Sequence, residues 1–441
     1  MAYWSEKPGD NKGAWYWMGI AVTLAQTMGM HRKAEYRVKS QETKLFKRVW
    51  WSCYIRDRML GIAMGRPLRI RDDEFDTPPL TLEDFDFVNP TDDDSTIFPS
   101  VDDQASLAEM CIRAAEMCTL SGKILTLHFS VLQNEQSTST ARGDNGTTAT
   151  MLFAGRNLPS KELVQTHDDQ LRVFYSSLSP SCSYQILSSQ GVASPCVMAN
   201  AAYLHITFWS VVSALHRPQL RDRERFFSST RVEEAAVEVS RVGREMHKSG
   251  LSRYLPATAT IPFQITTFIT HTKRLENKET EDVAEVLESL FFCIKVLEMG
   301  RDSFPGGDDA GEMMSLVALL ANITLLFDPE SKLWGVEYHG VHVCPGSRQL
   351  NLDASTVSSS LEMVSPGQFP ANASLARHEE LDRPKTMRNL QSFDPHVLSF
   401  DYMDTIDWGS LADFLPVSNP EDEHSFGAIA DPDYLQSVRM V

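Results

Sequence analysis

Residues 40–70 read SQETKLFKRVWWSCYIRDRMLGIAMGRPLRI. The stretch predicts one long helix with a hard stop. Ser40 is placed to cap it, because a serine hydroxyl accepts from the free N–H groups of a first turn. Glu42 follows where negative charge suits the helix dipole. Gly65 and Pro67 end the run, the first by tolerating left-handed backbone and the second by lacking an N–H.

The apolar positions do not share one face. Leu45, Val49, Cys53, Leu60 and Ala63 make one stripe, Phe46, Trp50 and Tyr54 a second, and Trp51, Ile55 and Ile62 a third. A helix apolar nearly all round is a buried, central one. Arg56, Asp57 and Arg58 lie inside the span. Breaking a buried ion pair costs on the order of 3–5 kcal/mol, so Asp57 is expected to pair with an arginine, Arg66 or Arg48. The alternative is a strip of exposed charges along the helix edge.

Taken in order, Glu42, Lys47-Arg48-Val49-Trp50-Trp51, Asp57-Arg58, Gly65-Arg66-Pro67 and Ile70 resemble the signature of the fungal-specific transcription factor domain. That domain is the helical middle region of fungal zinc-cluster (Zn2Cys6) regulators. The fuller run VWWSCYIRDRML is similar to the subgroup typified by cutinase transcription factors. His216-Arg217-Pro218, closing a later apolar helix, again resembles the family. The resemblance implies an all-α, irregular helical bundle, a nuclear location and control of RNA polymerase II genes, in lipid or secondary-metabolite metabolism. It also implies a zinc cluster of six cysteines upstream of this region, beginning Cys-x2-Cys. No Cys-x2-Cys occurs in the 441 residues, so DNA contact is expected only through a cluster this chain lacks or through a partner. The chain is read as starting partway through the domain.

Composition fits that expectation. With 59 acidic and 41 basic residues the net charge is −18, which argues against a nucleic-acid-binding module on its own. No apolar run of membrane-spanning length and no signal-peptide pattern stand out. The seven cysteines, an odd number mostly among apolar neighbours, read as reduced core thiols.

Five parts follow along the chain. Residues 1–130 hold a helix from Trp15 to about His31, with Tyr16, Ile20, Leu24 and Met28 on one face, then the central helix. An acidic, Pro-stiffened crossing segment through Asp76-Thr77-Pro78-Pro79 leads to a helix from about Asp103 to Phe129. Residues 131–158, rich in Ser, Thr, Gly and Asn, read as a flexible insertion. Residues 159–328 form the remaining helical body: Ser160 caps a helix to about Leu178, Val197–Leu215 is strongly apolar, and Thr230-x-x-Glu233 reads as a capping box for a helix ending near Gly250. Helices at about 281–299 and 312–327 complete it. Residues 329–392 read as a disordered linker.

The last part, 393–441, has its own chemistry. Phe393, Phe400, Tyr402, Trp408, Leu411, Phe414 and Leu415 are interleaved with Asp394, Asp401, Asp404, Asp407 and Asp413, with no Lys or Arg before Arg439. Carboxylates that repel one another keep aromatics in water, where a coactivator groove takes them up. Two readings are open: an activation segment, or an acidic tail docked on the helical body.

Nothing here carries enzyme chemistry. There is no Gly-x-Ser-x-Gly, His-Glu-x-x-His or phosphate loop. His216 has no second ligand at i±3 or i±4 and reads as a hydrogen-bonded structural histidine. His167-Asp168-Asp169 and His378-Glu379-Glu380 put acid beside His in sequence but not in space. No catalytic, cofactor or metal residue is assigned. Expected partners are coactivators, and a second copy or an intact relative in a dimer. A non-DNA-binding corepressor or decoy is a second reading, and a small-molecule-binding helical protein or enzyme a third.

Overall fold

The computed structural model describes residues 14–33, 40–89, 100–130, 153–154, 158–184, 193–221, 226–255, 267–268, 270–272, 274–275, 283–301, 324–328, 333–338, 341–343 and 362–363. Its body is all-α. The helices are α1 (Ala14–Thr27), α2 (Gln41–Met64), α3 (Val101–His128), α4 (Lys161–Ser176), α5 (Pro195–His216), α6 (Phe226–Lys248) and α7 (Val283–Arg301).

Helix α2 starts as its sequence dictates. Ser40 accepts from the Thr43 N–H, and the Thr43 hydroxyl accepts from the Ser40 N–H. Gly65 ends the helix at φ 58°, in the left-handed region where a side chain is strained. Trp50 and Tyr54 are fully buried, and Trp51, Met59 and Leu60 nearly so. Leu45, assigned to an apolar stripe, is instead exposed, on the side of α2 away from Trp50 and Tyr54. Segment 66–89 wraps α2: the Trp51 indole donates to the Pro78 carbonyl at 2.8 Å, and the Lys47 ammonium meets Asp84 at 2.6 Å.

The α1 face differs from the expected one. Met18, Val22 and Ala25 are buried, whereas Tyr16, Ile20, Leu24 and Met28 face solvent. The helix is oriented by Trp15, whose indole donates to the Pro67 carbonyl at 3.1 Å and carries the Arg69 guanidinium 3.6 Å above its ring.

Helix α5 is the second central element. It packs on α3, α4 and α6 and is buried over nearly its whole length. Residues Pro195–Leu220 are long and apolar enough to cross a membrane by length and composition, which the sequence reading did not register. Their burial inside the helical body identifies a core helix of the kind that passes the same test. The α-helix ends at His216, just ahead of Pro218 as expected, and a 3-10 turn continues over Arg217–Arg221.

Helix α6 begins at Phe226, so Thr230 lies one turn inside it and is not a cap. Its hydroxyl bonds back to the Phe226 carbonyl, and Glu233 accepts from Ser229 instead. Helix α7 packs on α6 and on a small sheet. The sheet runs β5-β4-β3-β6, built from β3 (Thr324–Asp328), β4 (Leu333–Tyr338), β5 (Val341–Val343) and β6 (Glu362–Met363). These strands occupy the end of the helix expected at 312–327 and part of the expected disordered linker. The runs TLLFD and LWGVEY are rich in strand formers and pair antiparallel, Leu325 opposite Val336. A two-residue pair, β1 (Phe129–Ser130) with β2 (Phe153–Ala154), lies at the edges of the insertion. The remainder of 131–158 except 158, and all of 393–441, lie outside the described residues, and with them the seven aromatic and leucine positions singled out in the tail.

Candidate functional site

The motif residues of α2 converge on one buried ionic cluster. Asp57 and Arg58 are both about 1% exposed. Arg58 Nη1 donates to Asp57 Oδ2 and to the Ile70 carbonyl, each at 2.8 Å, and Nη2 donates to Asp72 at 2.6 Å. The Tyr54 hydroxyl also donates to Asp72, and the guanidinium lies 4.2 Å from the Tyr54 ring centroid. The Arg69 and Ile70 N–H groups donate to Asp57 at 3.0–3.1 Å. Burial pushes the Asp57 carboxyl above its usual range, while those N–H groups and Arg58 pull the other way. The cluster therefore pins the post-helix chain at residues 69–72 back onto α2.

This corrects the pairing expected from sequence. The partner of Asp57 is Arg58, next to it in the chain, not Arg66 or Arg48. Arg48 turns to the Asp84 carbonyl and to Asp86 at 3.2 Å. Arg66 lies 5.7 Å over the Trp15 ring. Gly65 and Pro67 shape the exit, the one by its left-handed φ and the other by offering its carbonyl to Trp15.

A second cluster joins α4, α5 and α6. His216 is fully buried; Nε2 donates to Asp168 Oδ1 at 3.1 Å, leaving Nδ1 to accept from the Ser228 hydroxyl at 3.1 Å. Asp168 also accepts from Arg231 Nε at 2.8 Å and Arg172 Nε at 2.6 Å. Those donors hold the Asp168 carboxyl well below the usual range against the opposing effect of burial. Burial lowers His216, so its neutral form is favoured. Sequence reasoning dismissed Asp168 as a neighbour of His167; its true histidine stands 48 positions on. Arg217 and Pro218 begin the turn that follows.

Ser228, His216 and Asp168 have the composition of a nucleophilic triad, but the serine of such a triad must meet a substrate. Here all three are buried, and two arginines further neutralise the acid. The arrangement locks three helices together.

A third cluster adjoins it. His205 Nδ1 meets the Tyr175 hydroxyl at 3.1 Å, and Nε2 faces both the Trp209 indole N–H and Glu238 Oε2 at 3.0 Å. Arg241 holds Glu238 at 2.7 Å, and the Glu238 carboxyl is pulled down to about 2. Arg231 lies over the Trp209 ring, linking this cluster to Asp168.

The six described cysteines are free thiols, and burial pushes Cys53 to about 11 and both Cys118 and Cys293 to about 12. Thiols so protonated and dispersed do not fit a zinc cluster. Among the described residues no group of three His, Cys, Asp or Glu is placed to hold a metal ion.

Residues 1–176, from before α1 to the end of α4, match the fungal specific transcription factor domain. Cutinase transcription factor 1 beta of Fusarium vanettenii is 32% identical over 332 residues, 70% of this chain and 37% of the relative. A transcription factor of Fusarium pseudograminearum is 25% identical over 86% of this chain and 44% of its own length. Transcription factor cpaR of Aspergillus oryzae is 25% identical over 61% of this chain and 46% of its own. The chain thus spans less than half the length of these relatives. No solved structure matches. Residues 1–176 of this chain therefore belong to the fungal specific transcription factor domain family.

Proposed function

We propose that the chain is the regulatory region of a nuclear fungal transcription factor, controlling RNA polymerase II genes of lipid or secondary-metabolite metabolism. The observation that carries this reading is the family match over residues 1–176, together with relatives that are themselves transcription factors. In this reading the body positions and regulates, and residues 393–441 recruit coactivators through Phe393, Phe400, Tyr402, Trp408, Leu411, Phe414 and Leu415. DNA is reached through a zinc cluster outside these 441 residues or through a dimer partner that has one. Arg48, Trp50, Trp51, Asp57, Arg58, Gly65, Arg66, Pro67, His216, Arg217 and Pro218 act as scaffold and not as a reactive centre. The chain catalyses no reaction of its own.

A reporter assay tests this. The full chain joined to an unrelated DNA-binding domain should raise transcription, and the same fusion ending at residue 392 should not. Equal transcription from the two fusions would remove the tail from the mechanism; silence from both would favour a corepressor or decoy.

A further inference from the structure

The chain leaving α4 runs Ser177-Leu178-Ser179-Pro180-Ser181-Cys182-Ser183 and lies against α3. Its two ends are anchored on one ring. The Tyr175 hydroxyl meets His205 Nδ1 at 3.1 Å, and the Tyr184 ring stands 5.7 Å from that histidine. Between these anchors a chain of hydroxyls ties the loop to α3. Ser181 donates to Glu109 Oε2 at 2.6 Å. A serine hydroxyl has one proton to give, so Ser181 accepts from Ser179, whose Oγ lies 2.8 Å away.

One turn further along α3 a cation faces the same loop. The Arg113 guanidinium lies 5.0 Å from the Phe174 ring centroid, and Nη2 donates to the Ser177 hydroxyl. Nη1 pairs with Glu116, a half-exposed acid whose hold water weakens. The Arg113 Nε is buried and meets no acceptor among the described residues. The charges of Glu109 and Arg113 both reach Cys182 of the loop. Helix α3 thus offers the loop an acid and a guanidinium on one face, and Ser179 reaches the acid.

Among the described residues Thr77, Ser179 and Ser194 each stand before a proline. Thr77 is buried, with its hydroxyl on the Met30 carbonyl. Ser194 caps α5 through the Val197 N–H, with Pro195 in the first turn of the helix. Ser179 opens a turn, its carbonyl accepting from the Cys182 N–H, and is half-buried with Ser177 and Pro180 exposed on either side. We propose that Ser179 is phosphorylated by a proline-directed protein kinase, and that the phosphate moves the tie of this loop from Glu109 to Arg113. Ser179 Oγ attacks the γ-phosphorus of a nucleoside triphosphate. The new O–P bond replaces the bond to the diphosphate, which leaves as the nucleoside diphosphate, and the hydroxyl proton passes to the kinase. The ester oxygen has no proton to give Ser181. The phosphate instead brings a charge of about −1.5 to −2, which Glu109 repels and the Arg113 fork binds through two oxygens. The switch does not depend on what the chain regulates.

The test uses the full chain in two forms. The unmodified protein is incubated with a proline-directed kinase and magnesium ATP, and its phosphates are mapped by mass spectrometry. Ser179 should be modified at least tenfold faster than Ser194. Equal rates, or no phosphate at Ser179, overturns the site. The second form carries phosphoserine at position 179, installed during translation, and its phosphate is titrated by phosphorus NMR. The second pKa of a free phosphoserine is about 6. Capture by Arg113 favours the dianion, so the value should fall on folding, and Arg113→Gln should restore it. Arg113→Met is the second variant should Arg113→Gln fail to fold. A phosphate unshifted in the folded protein, one raised by Glu109, or a fall that survives the loss of Arg113 in a folded variant overturns the capture.

Discussion

Gly122 of α3 leaves the space that Arg58 of α2 passes through. A Cβ at residue 122 would stand 2.6 Å from Arg58 Nε, closer than side chains tolerate. The guanidinium cannot step aside, because its two terminal nitrogens are held by Asp57, Asp72 and the Ile70 carbonyl. Gly122→Ala should therefore destabilise the body by about 1–3 kcal/mol, the usual cost of overpacking a core. In an Arg58→Ala background the same change should be nearly neutral, because the crowded atom is gone. Chemical denaturation of the four proteins of this cycle measures the coupling. An equal cost in both backgrounds would mean that Gly122 is needed for some reason other than Arg58.

Asp168 meets two guanidinium groups, where Asp57 of α2 is ion-paired with one. Arg231 and Arg172 donate to it beside the neutral His216, and it is itself fully buried. Asp168→Asn keeps the shape, removes the negative charge and turns one acceptor into a donor facing arginine. The expected loss is about 3–5 kcal/mol, as for a buried pair broken on one side. The cooperative melting transition should fall by more than for Asp73→Asn, whose exposed partner Arg71 loses little. Comparable falls would show that the α4–α5–α6 cluster does not hold the helices.

The local signals were legible in the sequence and the distant ones were not. Ser40, Gly65 and Ser160 act through atoms within a turn or two of themselves, so residue type and position sufficed. The all-α body followed from long apolar helices and from the family signature. Arg58 as partner of Asp57 was missed because its path depends on a glycine 64 positions away. Asp168 was passed over because two of its three donors, His216 and Arg231, come from α5 and α6; only Arg172, four residues on in α4, was within local reach. The solvent face of α1 was misassigned because that helix has no charge to mark it, and Trp15, Met18, Ile20, Val22 and Leu24 surround it with apolar groups. Strand β3 was read as helix because a short apolar run has no decisive period, and its pairing with β4 is a tertiary fact.

The tail makes a separable prediction. Trp408→Ala with Phe414→Ala should abolish reporter activation by the full-chain fusion while leaving the melting curve unchanged, as expected of side chains that work by meeting a coactivator. Circular dichroism and the reporter are read on the same protein. Retained activation would rule out that pair as the working surface. A lowered melting point would place the two side chains in a folding contact.

Acid should loosen the body in two stages. Burial lowers the pKa of His205 and His216 from their ordinary 6.5, and that of His271 to about 3. A histidine lowered on folding takes up protons more readily when unfolded, so its contribution to stability is complete above pH 6.5 and is lost as pH falls toward the folded value. Glu238, held near 2, and Asp168, lowered likewise, add a second loss below the ordinary carboxylate range. At His205 the conflict is geometric as well: a protonated Nε2 donates to Glu238 and can no longer accept from Trp209. The melting temperature should decline between pH 7 and pH 5 and more steeply below pH 4. His216→Gln, which cannot titrate, should start lower but follow a shallower course between pH 7 and pH 5. A parallel course for wild type and variant would mean that His216 takes up its proton equally in the folded and unfolded chains, and the buried-histidine account of the first stage would then fail for this residue.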